Sequence, residues 1–522
     1  MRPVLLVALA TLLAPSPSAQ RLVFDESFSE DGSVLASSGS TKSLVLDDKD
    51  RALVAARANV FNPTYLRRIN PDGEPDETFG DEGSIALPAP GNTGGYGGVI
   101  ATRGGDIYAS GHARVPGPSN TTQPYILRFQ EDGTPHPTSP RSDGPIQVRY
   151  QGFTESPTHL FAGVYPGDAT CGTVRLLDTG AVDSTFATDG VASLPHAGSC
   201  RIEALGSDAE GRIVVGTTQS EAVGGETLSR FVVMRFLSDG TPDAAFGEGG
   251  RADVRFEDAE ADLRSLDVSA DGTVTAVGTT VKAGVRGALV VRWQPSGERD
   301  ASFGFEGLVY QTVADNTENA SFETVRAVLV SAGGAVTVFG SARARPDAEP
   351  GLISTFVALR LGADGALDTG FGEDGYARFV QRTQSSEPIY RRLGDVRLDS
   401  EGRFVYAYTS GPSFQYVTVV ARMIETTAVA GDAAPSGRLA LRAFPNPTPG
   451  RATVAVTLDA PAALTVAVHD ALGRLVARLA DGPAPAGRLA LDLDASRLAP
   501  GVYVVRVVAD GEVQTARLSV VR

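Results

Sequence analysis

Short runs of alternating apolar and polar residues fill most of the chain, and turn-forming residues separate them. In residues 271–278, for example, apolar residues alternate with threonine between an Asp-Gly pair and a closing glycine. A period of two is typical of half-buried strands, and glycine and proline mark the turns between them. With 59 glycines and 32 prolines among 522 residues, the pattern predicts an all-β fold with few helices.

Two sequence motifs alternate along most of the chain. The first reads Arg-x-x-x-Asp-Gly-x-x-Asp-x-x-Phe-Gly-x-x-Gly. Its clear copies begin at Arg68, Arg235 and Arg360, variants begin at Arg175 and Arg292, and a degenerate copy at Arg128 lacks the later Asp and the Phe. The second motif is a short apolar start, a polar turn and an alternating strand. It occurs seven times, at residues 51–56, 105–111, 159–163, 210–216, 271–278, 334–340 and 402–408.

The repeat predicts a propeller. Asp-Gly between apolar runs is typical of tight turns, so each repeat of about 60 residues should form two hairpins, or four short strands. Four strands form one propeller blade. Residues 25–32 carry the second half of the first motif without its Arg, and Arg422 carries the first half alone. We therefore expect residues 20–425 to form a seven-bladed β-propeller whose N- and C-terminal strands pair and leave no open sheet edge.

The recurring Arg, Asp and Phe allow a structural or a functional interpretation. A residue that is repeated in every blade serves the blade: Phe fills space between sheets, and Asp accepts hydrogen bonds from the turn or from Arg. Seven equivalent ligand sites are the alternative. The structural interpretation is the one that we carry forward.

The first motif, at this period, resembles the delta-60 repeat of bacterial secreted and surface proteins. The resemblance covers about four-fifths of the chain after its first twenty residues. It implies a propeller-like repeat fold. It transfers no catalytic residue.

The N-terminus has the pattern of a secretory signal. Arg2 precedes an apolar run over residues 4–14, and small residues with prolines follow up to Ala19. This order predicts a signal peptide over residues 1–19, with an uncleaved anchor as the alternative. No later run reaches the roughly 18 apolar residues of a spanning helix, so no transmembrane segment is expected in the mature chain.

Cys171 and Cys200 are the only cysteines. An exported protein meets oxidising surroundings, so we expect a structural disulfide between them, with two free thiols as the alternative. Their spacing matches no zinc motif.

The last part of the chain forms a separate predicted domain. Residues 426–441 are rich in small residues and predict a linker. Alternating runs then recur from residue 442 to residue 522 and predict a small antiparallel sandwich of immunoglobulin-like type.

Four stretches in this domain resemble the C-terminal sorting domain of proteins exported by type IX secretion. They are residues 444–447, 469–476, 498–505 and 518–522, and they include the motif residues Phe444, Pro445, Asn446, Pro447, Gly473, Gly501 and Tyr503. The resemblance implies export through the outer membrane by the type IX machinery, and then release or attachment to the cell surface. An ordinary adhesive domain is the alternative.

Charge narrows the range of partners. The chain has a formal net charge of -16. Residues 442–522 hold nine arginines against seven acidic residues, so the negative charge belongs to the preceding part. An acidic propeller does not favour nucleic acid as a partner, because the phosphate backbone requires clustered Lys and Arg.

Motifs for chemistry are scarce. The five histidines form no close pair that is typical of a metal site. No catalytic residue and no cofactor are predicted. Calcium is kept as a candidate because Asp47, Asp48 and Asp50, and Asp72, Asp76, Asp81 and Glu82, offer carboxylate oxygens.

Three functions remain open. The leading hypothesis is a secreted or surface-displayed, non-enzymatic propeller, a binding or structural scaffold whose rim loops at residues 88–98, 114–123 and 341–351 contact an extracellular macromolecule or glycan. The alternative is a hydrolase or lyase that acts on an extracellular polymer in the central depression. Convergent carboxylates with Tyr or Arg would favour it. A purely structural surface-layer component is the third.

Overall fold

The structure is a computed structural model in which the chain forms two compact units, Met1–Thr427 and Ala428–Arg522. It describes residues 20–520 except 30–31, 58–63, 88–98, 115–121, 138–148, 157–158, 168–169, 189, 195–201, 224–225, 257–260, 283–284, 313–320, 345–352, 373, 380–389, 412–415, 428–438, 445–447, 449, 459–460, 471–473, 486, 500 and 510–511. The predicted signal peptide and most of the predicted rim loops lie outside these residues. Within them, no helix has the length and apolar character needed to cross a membrane.

The described part of the first unit contains seven antiparallel sheets. Sheet 1 contains β3 (Ser40–Leu46), β4 (Ala52–Arg57), β5 (Thr64–Ile69) and β6 (Ser84–Ala86). Sheet 2 contains β7 (Val99–Arg103), β8 (Asp106–Arg114) and β9 (Thr122–Phe129). Sheet 3 contains β10 (Arg149–Glu155), β11 (Leu160–Gly167), β12 (Thr170–Leu176) and β13 (Val191–Leu194). Sheet 4 contains β14 (Ile202–Ser207), β15 (Ile213–Val223), β16 (Glu226–Phe236) and β17 (Arg251–Phe256). Sheet 5 contains β18 (Ala261–Val268), β19 (Val274–Lys282), β20 (Val285–Trp293) and β21 (Leu308–Gln311). Sheet 6 contains β22 (Ser321–Val330), β23 (Val336–Ala344), β24 (Ile353–Leu361) and β25 (Tyr376–Phe379).

Sheet 7 joins the two ends of the unit. It contains β26 (Tyr390–Leu398), β27 (Phe404–Gly411) and β28 (Val417–Thr427), and β1 (Gln20–Phe24) and β2 (Ser33–Ser38) both pair with β28. We call the first strands of the sheets, β3, β7, β10, β14, β18, β22 and β26, the inner strands. Each inner strand lies beside the inner strand of the next sheet, and β26 lies beside β3.

The repeated arginines stack on the repeated phenylalanines. The guanidinium carbon lies 4.1 to 5.3 Å from the ring centroid in six pairs, a distance typical of cation–π contacts. The pairs are Arg68–Phe79, Arg175–Phe186, Arg235–Phe246, Arg292–Phe303, Arg360–Phe371 and Arg422–Phe28. The six phenylalanines are buried, which confirms the structural interpretation of this residue type.

The repeated aspartates hold the same arginines. In five repeats the Asp Oδ2 accepts a hydrogen bond of 2.7 to 2.9 Å from the Arg Nε, and the Asp Oδ1 accepts the backbone N–H two residues later. The pairs are Arg68–Asp76, Arg175–Asp183, Arg235–Asp243, Arg292–Asp300 and Arg422–Asp25. The last pair joins the two half-motifs at the chain ends, which complete one another as predicted.

Four of these arginines also reach the following sheet. The Arg235 Nη1 donates to the Pro295 carbonyl oxygen at 2.7 Å, and the Arg175 Nη1 donates to that of Ser238 at 2.8 Å. Arg68 and Arg422 make the equivalent contacts to the turns that follow β9 and β5. One buried side chain therefore connects two neighbouring sheets, and we call this contact the arginine clamp.

The Asp-Gly turn of the first motif is not the hairpin that was predicted. After it, the chain makes one isolated bridge, such as that between Phe236 and Pro242, and the fourth strand starts only later. The glycine has another role, because the next sheet is very close. A Cβ on Gly297 (φ +83°) would lie 2.3 Å from the Gly247 amide nitrogen. The Gly247 N–H donates to the Ser296 carbonyl at 2.7 Å, so the turn is an inter-sheet contact.

In two repeats the arginine contacts a carboxylate that lies outside the repeated Arg–Asp pair. Arg128, in the degenerate copy, bonds to Asp106 of the neighbouring strand β8 through its Nε at 2.8 Å. Arg360 donates from its Nη1 to the Glu425 carboxylate at 2.9 Å. Glu425 lies on β28, so this pair links sheet 6 to sheet 7 where the repeat motif ends.

The second unit contains two antiparallel sheets. The first contains β29 (Leu439–Phe444), β30 (Arg451–Leu458) and β33 (Gly487–Asp494). The second contains β31 (Ala462–Asp470), β32 (Leu475–Ala484), β34 (Gly501–Ala509) and β35 (Glu512–Val520). A short 3-10 helix, Ala495–Arg497, follows β33. Valines from both sheets share one buried core, among them Val454, Val466 and Val505. The alternating runs of this region therefore form antiparallel strands, as predicted.

Candidate functional site

A cavity of about 740 Å³ lies among the inner strands of the first unit. All seven inner strands contribute lining residues, so no single sheet forms it. The cavity is the central depression in which the sequence hypotheses placed a site.

Charged side chains are prominent in the lining. The carboxylates are those of Glu155, Glu203, Asp267 and Asp395, and the cations are Lys42, Arg264, Arg326 and Arg397. Among the described residues that line the cavity, none is tyrosine or histidine. This combination of carboxylates and arginines is the one expected to favour the enzymatic hypothesis, and it leaves the binding hypothesis open.

Several of these groups connect adjacent inner strands. The Asp267 Oδ2 on β18 accepts the Val330 N–H of β22 at 3.1 Å, and the Ser265 Oγ accepts the Val328 N–H at 3.3 Å. The Glu203 Oε2 on β14 lies 3.9 Å from the Arg264 Nη1 on β18. The lining therefore holds the inner strands together.

Asp395 has a similar role between sheets 7 and 1. Its carboxylate accepts from the Arg397 Nη1 at 2.6 Å and from the Val396 N–H at 2.9 Å. It also accepts a backbone hydrogen bond from Leu44 of β3. Burial raises the pKa of Asp395, although Arg397 and the backbone hydrogen bonds act in the opposite direction.

Burial also raises the pKa of Asp267, against the hydrogen bond from Val330. A raised carboxyl pKa contributes stability at a pH below the unfolded-state value, and this contribution is lost as the pH rises through the folded-state value. We therefore expect Asp267→Asn, which is neutral at every pH, to raise the denaturation midpoint at pH 7 and to leave it unchanged at pH 3. Denaturant titrations at both pH values measure this. Asp253→Asn, at a partly exposed pair with Arg230, is the control, and an equal shift in both variants would contradict the expectation.

Three of the carboxylates proposed for calcium are used in other contacts. The Asp47 Oδ2 pairs with the Arg51 Nε at 2.7 Å, Asp50 accepts the Ser400 N–H at 2.9 Å, and Asp76 belongs to the clamp. Among the residues that the structure describes, no group of three or more potential ligands converges.

The predicted disulfide stays a prediction. Cys171 lies on β12, opposite Leu194 of β13. Cys200 lies outside the described residues.

The sorting-motif residues fall in the second unit. Phe444 ends β29, Gly501 begins β34, and Tyr503 is buried on β34 with its hydroxyl donating to the Ala499 carbonyl at 2.8 Å. Pro445, Asn446, Pro447 and Gly473 lie outside the described residues.

Sequence reasoning missed the charged residues of the cavity. Lys42, Asp267 and Asp395 belong to neither repeated motif, and each differs from the residue at the matching position of other repeats. A search for repeated residues cannot find them.

Comparison with known proteins identifies two parts of the chain. Residues 442–521 match the secretion system C-terminal sorting domain. Residues 209–246, which contain the first motif from Arg235 to Phe246, match a β-propeller domain family of unknown function. No curated protein matches the chain.

Solved structures give weak similarities. PorZ, a bacterial surface component of the type IX secretion system of Porphyromonas gingivalis, is 14% identical with a TM-score of 0.30, covering 93% of this chain and 74% of its own. Drosophila Semaphorin 2a is 10% identical with a TM-score of 0.41, covering 94% and 97%. Sqt1 of Chaetomium thermophilum is 12% identical with a TM-score of 0.36, covering 78% and 99%. Such low TM-scores carry no functional information.

The first match agrees with the sorting-domain resemblance, and the second supports a β-propeller in the repeat region. The protein thus contains a β-propeller domain and a C-terminal sorting domain of the type IX secretion pathway, which marks it as secreted or attached to the cell surface.

Proposed function

We propose that this protein is a secreted or surface-displayed binding scaffold without catalytic activity. Residues 1–19 are a signal peptide, and residues 20–425 are a seven-bladed propeller closed by its terminal strands. Residues 426–441 are a linker, and residues 442–522 are an immunoglobulin-like sorting domain that engages the type IX machinery. The seven sheets and the closed sequence of contacts between their inner strands support this architecture.

One observation carries the non-enzymatic reading. Three of the cavity's carboxylates, on Glu203, Asp267 and Asp395, contact an arginine or a backbone amide of the neighbouring inner strand. Groups used in this way serve the assembly of the ring. The rim loops then remain for contact with an extracellular macromolecule or glycan, which is typical of loops on a rigid scaffold.

A hydrolase or lyase is the second candidate, and a specific observation favours it. Asp267 and Asp395 share one cavity with arginines, and the pKa of each is raised by burial. A carboxyl with a raised pKa is suited to act as a general acid.

A turnover assay separates the two candidates. The purified full chain is incubated with a panel of extracellular polysaccharides, and new reducing ends and unsaturated products are measured. A scaffold gives no turnover with any polymer. Turnover that both Asp267→Asn and Asp395→Asn abolish, and that Asp253→Asn retains, would overturn the proposal in favour of the enzyme.

A further inference from the structure

The inner strand β3 places a lysine at a β-bulge on the wall of the central cavity. Its register with β4 shifts between Thr41 and Ser43, which leaves Lys42 without a partner on β4. We call the unpartnered residue of a bulge in an inner strand its bulge residue. A bulge redirects the side chain of the extra residue and is frequent beside functional sites. Lys42 lines the cavity and is exposed, so a molecule that enters the cavity can reach it.

The Lys42 ammonium has no carboxylate partner within the described part of the chain. No hydrogen bond or ion pair joins it to a described residue. The four carboxylates of the cavity lining are held by other groups, namely Glu155 by Arg103, Glu203 by Arg264, Asp267 by the Val330 N–H and Asp395 by Arg397. An ammonium without a carboxylate beside it loses its proton more readily than a paired one.

Two arginines lie close to Lys42. Arg57 is the last residue of β4, the strand that pairs with β3. Arg392 on β26 is opposite Thr409, whose Oγ1 accepts the Thr41 N–H at 2.9 Å. The bulge of β3 is therefore flanked by a cation from its own sheet and by one from sheet 7.

Other charged side chains near β3 are already engaged. Those described on the strands packed against β3 bind other groups, and they are Arg103 on β7, Asp395 and Arg397 on β26, and Arg422 and Glu425 on β28. Partial burial, and then the charges of Arg57 and Arg392, lower the pKa of Lys42. A larger fraction of this amine is therefore unprotonated at neutral pH than is usual for lysine.

The two other lysines of the chain each have a contact that favours the protonated form. Lys49 forms an ion pair with Glu131. The Lys282 Nζ lies 5.8 Å from the ring centroid of Tyr310, within the range of a cation–π contact. Only the unprotonated amine has the free electron pair of a nucleophile. Lys42 should therefore be the most reactive lysine of the folded protein.

We infer that Lys42 is a covalent site for small aldehydes in the central cavity. Its amine nitrogen attacks the carbonyl carbon and forms a carbinolamine. The C–O bond then breaks, the two N–H protons leave with the oxygen as water, and an imine joins Nζ to the aldehyde carbon. Amine and aldehyde give imine and water, so the step needs no oxidant or reductant. The cavity volume of about 740 Å³ is within the range of small-molecule sites.

Reductive trapping with glyceraldehyde tests the inference on the full chain. The protein is incubated at pH 7 with glyceraldehyde and cyanoborohydride, which reduces the imine to a stable secondary amine. Peptide mass spectrometry then gives the rate of modification at each lysine. Lys42 should react at least about fivefold faster than Lys49 and Lys282, the factor that one charge contact at a protein surface contributes. In urea the three lysines should react at similar rates, because the cavity is lost.

Arg392→Met tests the cause of the reactivity. Removal of this charge should slow the modification of Lys42 by about twofold to fivefold. Arg255→Met, at an exposed arginine on β17, is the matched control and should leave the rate unchanged.

Three results would overturn the inference. The first is that Lys42 reacts no faster than Lys49 and Lys282 in the folded protein. The second is that its advantage persists in urea, and the third is that both arginine variants modify Lys42 at the same rate. The inference goes beyond the proposed scaffold function. The turnover assay with polymers does not depend on Lys42 modification, so a failed aldehyde site and a failed scaffold proposal remain distinguishable.

Discussion

Replacing Asp243 with alanine is expected to destabilise the first unit by about 3–5 kcal/mol, because the substitution leaves the buried Arg235 guanidinium without its carboxylate. The side chains of Arg235 and Asp243 are only 1% and 9% exposed. The arginine also connects sheet 4 to sheet 5, so the loss should act at that interface. Trp293, the only tryptophan, is buried in the core that these two sheets share. The fluorescence of Trp293 during denaturant unfolding therefore measures the change in the free energy of unfolding directly.

Asp253→Ala is the matched control for this prediction. Its pair with Arg230 is 3.2 Å long, but the two side chains are 25% and 31% exposed. An exposed ion pair contributes about 0–1 kcal/mol, so this variant should unfold almost as the wild type does. Equal effects of Asp243→Ala and Asp253→Ala would show that the clamp does not support the fold.

Gly297→Ala should have a similarly large effect at the same interface. The alanine Cβ would lie 2.3 Å from the Gly247 amide nitrogen, and backbone cannot yield as a flexible side chain can. The left-handed φ of +83° adds about 1–2 kcal/mol for a residue with a Cβ. Overpacking adds about 1–3 kcal/mol. The expected loss of unfolding free energy is therefore the sum of the two costs, and Trp293 fluorescence again reports it.

Gly402→Ala separates the two costs. Gly402 has a φ of +77°, and a Cβ there meets nothing within 4 Å. It should show only the conformational cost of about 1–2 kcal/mol. If Gly297→Ala is no more destabilising than Gly402→Ala, the close approach of the sheets at this turn adds no overpacking cost to the free energy of unfolding.

The residues that recur in every repeat could be predicted from the sequence. Arg235, Asp243 and Phe246 form one buried unit, and the structural interpretation of the motif anticipated it. Pairing of the two terminal half-motifs was also readable, because Asp25 and Phe28 supply what Arg422 lacks. Residues of this kind can be identified because they recur at the same position in several repeats.

The exceptions could not be predicted, because each depends on a contact between distant parts of the chain. Arg128 contacts Asp106, 22 residues earlier, and Arg360 contacts Glu425, 65 residues later. The Asp-Gly turn was misjudged for a related reason. A hairpin signal is local, whereas the glycine at position 297 is required by the backbone of another sheet.

The cavity residues had a weak signal in the sequence. Alternating apolar positions advance by two along a strand, but the inner strands contain a step of three, from Leu263 to Leu266 and from Leu393 to Val396. The bulge residues Arg264 and Gly394 lie within those steps. The step of three marks a bulge, but it does not reveal that the inner strands of different sheets meet at one cavity.

Closure of the ring is the central claim, and a designed disulfide across it is its most direct test. Val23 on β1 lies opposite Ile424 on β28, and opposed residues of antiparallel strands are within the Cα separation that a disulfide requires. In the double variant Val23→Cys with Ile424→Cys, mass spectrometry of a non-reduced digest should find a peptide that links positions 23 and 424. Val23→Cys with Val285→Cys, an exposed position on β20, should give no such link. Free thiols at both 23 and 424 under oxidising conditions would contradict a propeller that is closed by its termini.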